Sequence, residues 1–408
     1  MAQVGTIERT NGNSSPDPRA ARLSARRRLK MARSAHAYVR GSTVKFYEWL
    51  ENHADAIPAG PPVWICGDCH VGNLGPLADA KGRVAVQIRD LDQTVIGNPA
   101  HDLVRLGLSL ASAARGSDLP GATTVRILEA LAAGYEAALA GKFDKAKDKT
   151  NRPPAIQALL ARSVRRRWRH LAEERLDGAD PAVPLGKKFW ALSGEERAGL
   201  ADLFHGKSLR SLVAGLKGRG RDSEVELVDA AYWVKGCSSL GRLRYAVMLR
   251  ISEGGDVAHI LVDVKEAVKA AAPRAPNVTM PRDNATRVVT GAQALSPHLG
   301  DRMIAARLLD RPVVLRELMP QDLKIEVDRL SADSATRLAH YLAGVVGRAH
   351  GRQMPADVRA AWRGELHQAR TRTLDTPSWL WTSIVDLLSI HEAAYLDHCR
   401  RFALAATD

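Results

Sequence analysis

Gly67-Asp68-Cys69-His70-Val71-Gly72-Asn73, followed by Ile88-Arg89-Asp90-Leu91-Asp92, carries more information than any other part of this chain. Each segment begins as an apolar strand, Val63-Trp64-Ile65 in one and Val84-Ala85-Val86-Gln87-Ile88 in the other, and ends in carboxylates or an amide at a loop. Two neighbouring strands that bring Asp68, Asn73 and Asp90 to one edge build an oxygen-rich cage for a hard cation such as Mg²⁺. Mg²⁺ keeps waters and completes its shell with substrate phosphates, so the pattern points to phosphoryl transfer. Asp92 is either a further metal-side group or a turn residue.

The order Gly-Asp-x-His-x-x-Asn, then a strand ending at Asp90, then Asp102 at the head of an apolar helix, resembles the protein-kinase-like superfamily. Within it the pattern resembles the aminoglycoside and choline kinase branch. The resemblance implies Asp68 as catalytic base, His70 as a catalytic-loop residue that shapes the loop, and Asn73 and Asp90 as metal ligands. It also implies Asp102 as a buried brace. A longer set of phrases resembles an uncharacterised bacterial family, DUF2252, over most of the chain after about residue 20. They are Lys30-Met31 through Gly41, Gly67 through Gly75, Arg89 through Asp102, and Val264-Lys265-Glu266. A shared fold does not by itself assign a reaction.

Against ordinary kinases the parts are out of order. The catalytic loop comes first, and the candidates for the nucleotide-holding parts follow residue 220. Gly236, Ser238, Ser239 and Gly241 form a loop between two strand-like runs, Leu227 to Val234 and Leu243 to Ile251. Ile260 to Lys265 is a third strand ending in a lysine, like the kinase Val-Ala-Ile-Lys strand. Thr286 to Leu295 reads as a helix, Pro312 to Met319 as a strand and Ala335 to His350 as an amphipathic helix.

The expected fold is therefore α+β, a circularly permuted, protein-kinase-like two-lobe fold with a strand-rich nucleotide lobe and a larger helical lobe. The boundaries are a disordered N-terminus over 1–20, a helical lobe with both loops over 21–223, the strand-rich domain over 224–320, and helical completion over 321–408. The resemblance implies ATP and Mg²⁺, with Lys265 on the α/β-phosphates, the glycine loop above them, and adenine against backbone at Glu317 to Met319. Arg40, beside Gly41, reaches phosphate or substrate, or makes a structural ion pair. Ser238 stands where many kinases have a second glycine, and no Glu occurs from Ala285 to Gly300 to pair with Lys265. These departures keep a nucleotide-binding pseudokinase open, and AMP transfer is an enzymatic alternative.

At 408 residues, 45% hydrophobic and 25% charged, the composition is that of a globular protein with a sizeable core. No apolar run is long enough to cross a bilayer and no secretion signal is visible, so a cytoplasmic location without membrane partners is expected. Cys66-x-x-Cys69-His70 matches a haem-attachment pattern, but that reading requires export and leaves Asn73, Asp90 and Asp92 unexplained. A net charge of +14, gathered in Arg22 to Arg33 and Arg162 to Arg175, is either solvated helix surface or a face for nucleic acid or an acidic partner. The expected partners are thus a nucleotide, a small-molecule or protein hydroxyl acceptor, and, in the third alternative, nucleic acid.

Overall fold

The computed structural model describes residues 16–79, 81–143, 152–166, 171, 182–205, 224–237, 239–253, 256–325, 331–368 and 376–402. Three helices open it: α1 (Pro16–Met31), α2 (Ala35–Gly41) and α3 (Thr43–His53). Ser34 starts α2, its hydroxyl accepting the Ala37 N–H at 3.1 Å. Helix α1 covers residues 16–20 of the stretch expected to be disordered, and residues 1–15 lie outside the described residues.

Four short strands follow: β1 (Val63–Ile65), β2 (Leu74–Ala78), β3 (Val84–Ile88) and β4 (Val95–Gly97). β1 pairs antiparallel with β4, and β2 with β3. The Arg89 N–H donates to Asn73 O at 2.7 Å, which ties the loop after β1 to the loop after β3. Helix α4 (Pro99–Arg115) begins with proline in its first turn behind Asn98, whose side chain accepts the Ala100 N–H. It is buried from Asp102 to Ala114, so it is a core helix with no solvent face along that length. Helices α5 (Gly121–Leu139) and α6 (Pro154–Arg165) come next.

The later chain supplies a six-stranded antiparallel sheet. Its members are β5 (Phe189–Trp190), β6 (Glu224–Trp233), β7 (Arg244–Glu253), β8 (Asp256–Glu266), β9 (Met303–Leu308) and β10 (Arg311–Glu317), in the order β5-β6-β7-β8-β10-β9. Helix α7 (Gly194–His205) lies between β5 and β6, and α8 (Asn284–Leu295) and α9 (Pro297–Gly300) between β8 and β9. Along β7, Tyr245, Val247, Leu249 and Ile251 enter one apolar core while Ala246 and Met248 enter another, the two-residue period of a strand buried on both faces. Strand β9 was not foreseen. Its turn to β10, Leu309-Asp310, is left-handed at both residues (φ 50° and 57°) yet has no glycine or asparagine to mark it.

Helices α10 (Ala332–Gly351), α11 (Ala356–Gln368) and α12 (Ser378–Phe402) complete the chain and share one core with α3, α4, α5 and the loop strands. With 53% helix, 19% strand and most strands gathered in one block, the class is α+β. Among the described residues no helix is long and apolar enough to cross a membrane.

The closest helix pair is α5 with α10. A Cβ at Gly134 would lie 2.1 Å from His340 O, and one at Gly347 would lie 2.8 Å from Tyr135 O. The backbones touch, and neither can move back without opening the core. Gly134→Ala should therefore cost about 1–3 kcal/mol despite alanine's better helix propensity. A thermal melt no lower than that of the parent would refute this packing.

Candidate active site

β1 hands the chain to Gly67, whose φ of 74° suits glycine and whose added Cβ would lie 2.2 Å from Gln93 O. The loop beyond is held from below by Asp102 in the first turn of α4. Its carboxylate accepts from the Cys66 N–H at 2.7 Å and the Gly67 N–H at 2.9 Å. His350 at the end of α10 places Nε2 3.1 Å from the same carboxylate, and its Nδ1 lies 3.0 Å from the Tyr135 hydroxyl. With Nε2–H donating to Asp102, Nδ1 accepts from Tyr135, whose oxygen accepts in turn from Trp362 Nε1 at 3.4 Å. Gln353, just past α10, accepts the Trp64 N–H at 2.8 Å and donates to Trp64 O at 3.0 Å, so the end of α10 clasps β1 directly. The Tyr47 hydroxyl donates to Gly67 O from the other side.

Asp68 follows, and it is buried, with 8% of its surface exposed. Arg105, three residues after Asp102 on α4, donates through Nε to Asp68 Oδ1 at 3.0 Å and through Nη2 to Val39 O at 2.6 Å. Burial raises the Asp68 pKa and the Arg105 charge only partly offsets it. His70 Nε2 lies 3.9 Å from Asp68 Oδ2, and burial together with the charges of Arg40 and Arg105 pushes the imidazole well below its usual pKa. It is neutral at pH 7 and unsuited to a resting cationic role. Asn73 donates through Nδ2 to Asp68 O at 2.9 Å, which spends its nitrogen and leaves its carbonyl oxygen, the atom a metal would need.

The loop after β3 meets the end of β8. Lys265 Nζ is 3.3 Å from Asp90 Oδ1 and in closer contact with Asp92 Oδ2. Dehydration opposes ionisation of Asp90, but the charges of Lys265 and Arg244 outweigh it and hold the carboxyl below the usual range. Asp92 is shifted upward by its burial and by the neighbouring Asp90 charge. Asp90 nevertheless keeps 45% of its side chain exposed, so it can take a further cation. A small cleft of about 60 Å³ opens here, lined by Asp90, Asp92, Arg244, Asp263, Lys265 and Arg316 among others. The glycine loop touches its lining through Ser239. Gly236 and Gly241 have φ of 89° and 96°, and Ser239 Oγ accepts from Arg244 Nη1 at 3.4 Å. Ser238 lies outside the described residues.

The family described as an uncharacterised protein conserved in bacteria, DUF2252, matches residues 19–401. The chain belongs to this family. No curated protein and no solved structure matches it. The DUF2252 description carries no activity, so any function must be argued from the site.

In this DUF2252 chain Asp68, His70, Asn73, Asp90, Asp92 and Lys265 converge, with Asp102 beneath them and Arg40 beside Gly72. The bend after β10 departs from expectation. The Glu317 N–H donates to Arg302 O, its carbonyl accepts from Arg302 Nη1, and the Leu318 N–H donates to Leu261 O. Glu317 is fully buried with both backbone groups engaged, so it closes the sheet; at Met319, two residues on, the carbonyl accepts the Asp322 N–H at 3.0 Å. Sequence reasoning also missed Arg105, although Asp102, Arg105 and Ser109 interrupt an apolar helix at spacings that share one face. Ser109 Oγ accepts the Val71 N–H at 3.3 Å, so all three serve the loop. The Arg244–Asp263 pair (2.9 and 2.5 Å) and the Arg302–Asp322 pair were equally silent.

Cys66 and Cys69 are fully buried. The Cys66 thiol is pushed well up, chiefly by its hydrogen bond with Cys69 and then by burial, so it is a protonated core group. The first basic run is partly consumed within the fold: Arg22 and Arg26 lie over Trp190, Arg26 also donates to Lys187 O at 3.0 Å, and just before the run Arg19 pairs with Glu196 at 2.5 Å and stacks on Tyr232. Part of the second run, residues 167–170 and 172–175, lies outside the described residues.

Burial opposes ionisation of Asp263, but Arg244 and Lys235 outweigh it and bring its pKa down to about 2. A depressed carboxylate stabilises the fold above its unfolded pKa of about 4, and that contribution is lost as pH falls through about 2. Asp263→Asn should melt below the parent at pH 7, and the gap should narrow from pH 4 toward pH 2. A gap that stayed constant over that range would show that the pair contributes no pH dependence.

Proposed function

We propose that this protein is an ATP- and Mg²⁺-dependent phosphotransferase acting on a hydroxyl acceptor, through a kinase-like arrangement whose nucleotide-holding strands follow the catalytic loop in the chain. One observation carries the reading. Lys265, 175 positions after Asp90, ends its strand against Asp90 and Asp92. Nothing in the local sequence of either segment requires that meeting, and it is what a lysine serving a nucleotide beside a metal-binding carboxylate needs.

The donor set suits a hard cation. Asp90 and Asp92 offer two carboxylates against one lysine, and Asn73 keeps a carbonyl oxygen. Mg²⁺ held there would neutralise and orient the β/γ-phosphates. Lys265 would turn to the α/β-phosphates, and the backbone around Gly236 and Gly241 would cover them. Asp68, with its pKa raised by burial, is suited to accept the acceptor hydroxyl proton, while Arg105 fixes its orientation. Neutral His70 shapes the loop beside it.

A second reading, nucleotide binding without turnover, draws on α8. That helix supplies no Glu to Lys265; it supplies Arg287, which donates to Asp92 O at 3.1 Å, to Val268 O at 2.8 Å and to Thr94 O. Mass spectrometry of candidate acceptors incubated with ATP separates the outcomes: an added phosphate, an added AMP, or no product despite ATP binding.

Asp90→Ala should weaken Mg²⁺-dependent ATP binding by about tenfold or more, with the fold kept because Asp92 still pairs Lys265. Calorimetry with unchanged Mg·ATP affinity would remove Asp90 from the metal site. Asp68→Asn should abolish turnover, and it should also cost about 1–3 kcal/mol of stability because Arg105 loses its counter-charge. Retained turnover in that variant would exclude Asp68 as the base.

A further inference from the structure

Among the described residues, the cations at the Gly67–Asn73 loop, the glycine loop and the Asp90–Asp92 turn have partners, with Arg40 as the exception. Lys265 meets Asp90 and Asp92, Arg244 and Lys235 meet Asp263, Arg105 meets Asp68, and Lys30 donates to Gly236 O at 2.8 Å. Arg40, at the end of α2, makes no hydrogen bond and no ion pair with any described residue, and its Nε is buried without a partner. An arginine left half-buried with no acceptor is costly in a finished structure, because the guanidinium has lost water and gained nothing.

Its position is equally specific. A Cβ at Gly72 would lie 2.7 Å from Arg40 Cζ, so the guanidinium lies directly on the catalytic loop, where only glycine leaves room. Gly41, the next residue, abuts the glycine loop, since a Cβ there would lie 3.2 Å from Cys237 Sγ. Arg40 thus stands between the segment that would cover the phosphates and the segment that carries Asp68 and Asn73. Its charge also reaches His70 and Cys237.

We propose that Arg40 binds the terminal phosphoryl group of ATP and neutralises the charge that develops on it during transfer, an inference that rests on the phosphotransferase reading. The planar guanidinium suits two phosphoryl oxygens at once. In the step it serves, the bond from the γ-phosphorus to the β–γ bridging oxygen breaks and its electron pair leaves with ADP. The acceptor oxygen bonds to the γ-phosphorus, and its proton passes to Asp68. Arg40 takes part in no bond; it stabilises the three equatorial oxygens.

Full-length parent, Arg40→Lys and Arg40→Met would be titrated calorimetrically with Mg·ATP and Mg·ADP, with melts recorded in the absence of nucleotide. Arg40→Met should lose about tenfold or more in ATP affinity and less than about twofold in ADP affinity, with Arg40→Lys intermediate. Its nucleotide-free melt should equal or exceed that of the parent, because an unpaired buried charge has been removed. A variant that kept the parent's ATP-over-ADP preference would overturn the assignment, as would equal losses for both nucleotides with a lowered melt, the signature of a structural arginine. A parent that bound neither nucleotide would sink the phosphotransferase reading first, and this inference with it.

Discussion

The carboxylate of Asp102 is the point on which the site rests. A strand that turns through Gly67 leaves the Cys66 and Gly67 N–H groups pointing inward, where no strand partner and no water can meet them. Asp102 meets both. It sits in the first turn of α4, where the helix dipole also favours a negative charge. His350, Tyr135 and Trp362 then tie the same carboxylate to α10, α5 and α11. Four helices thereby fix one turn of loop to within hydrogen-bond tolerance, and Asp68 inherits its position from that turn. The Gly134 and Gly347 contacts belong to the same device, since the relay spans its distances only if α5 and α10 touch.

Charge at the site is arranged in two tiers. Below the loop, Arg105 and Asp68 form a buried pair, with Arg105 also capping Val39 O, so neither charge can leave without stranding the other. Above it, Lys265 shares Asp90 and Asp92, with Asp90 open to solvent. The lower tier is sealed from solvent and the upper tier is partly open to it; under the proposed function the upper tier exchanges its lysine for a cation. An added cation would displace the lysine from the carboxylates at small cost, because water and phosphate oxygens can replace what it gives up. The lower tier permits no such exchange, which suits a group whose task is to hold one orientation.

Much of this was legible in sequence wherever the controlling interaction is local. Strands around 227–234, 243–251 and 260–265 announce themselves by runs of Val, Ile, Leu and Tyr, and the helices beginning near Asp102 and ending at His350 by apolar periodicity. Strand β9 was illegible because its turn, Leu309-Asp310, adopts left-handed geometry without the residues that normally signal it. The burial of Asp68 was hidden for a different reason: it depends on Arg105, whose direction is set by how α4 lies under the loop. The commitment of Glu317 to Arg302 is likewise tertiary, a pairing of two separate segments that neither foretells. Asp90 was read as a site residue from the strand-end cage it shares with Asp68 and Asn73, and Lys265 through resemblance. Their own neighbourhoods fit a surface turn and a surface pair equally well.

Chain order sets the final constraint. The helical part is built from two separated segments, α2 to α6 and α10 to α12, with the six-stranded sheet between them in sequence. Both of its key closures, His350 to Asp102 and Gln353 to Trp64, join residues from opposite ends of that interruption. Loop-closure entropy grows only logarithmically with length, so the interruption costs little at equilibrium. It costs more in rate, because contacts this far apart in sequence must wait for what lies between them. The sheet has apolar cores on both faces that draw on α1 and α7 but on none of α3 to α6 or α10 to α12. The Gly67–Asn73 loop has no such independence. Its backbone is met by Asp102 and Ser109 of α4 and by Tyr47 of α3, while the end of α10 locks Asp102 and the strand before the loop, so the loop becomes rigid only once early and late helices have joined.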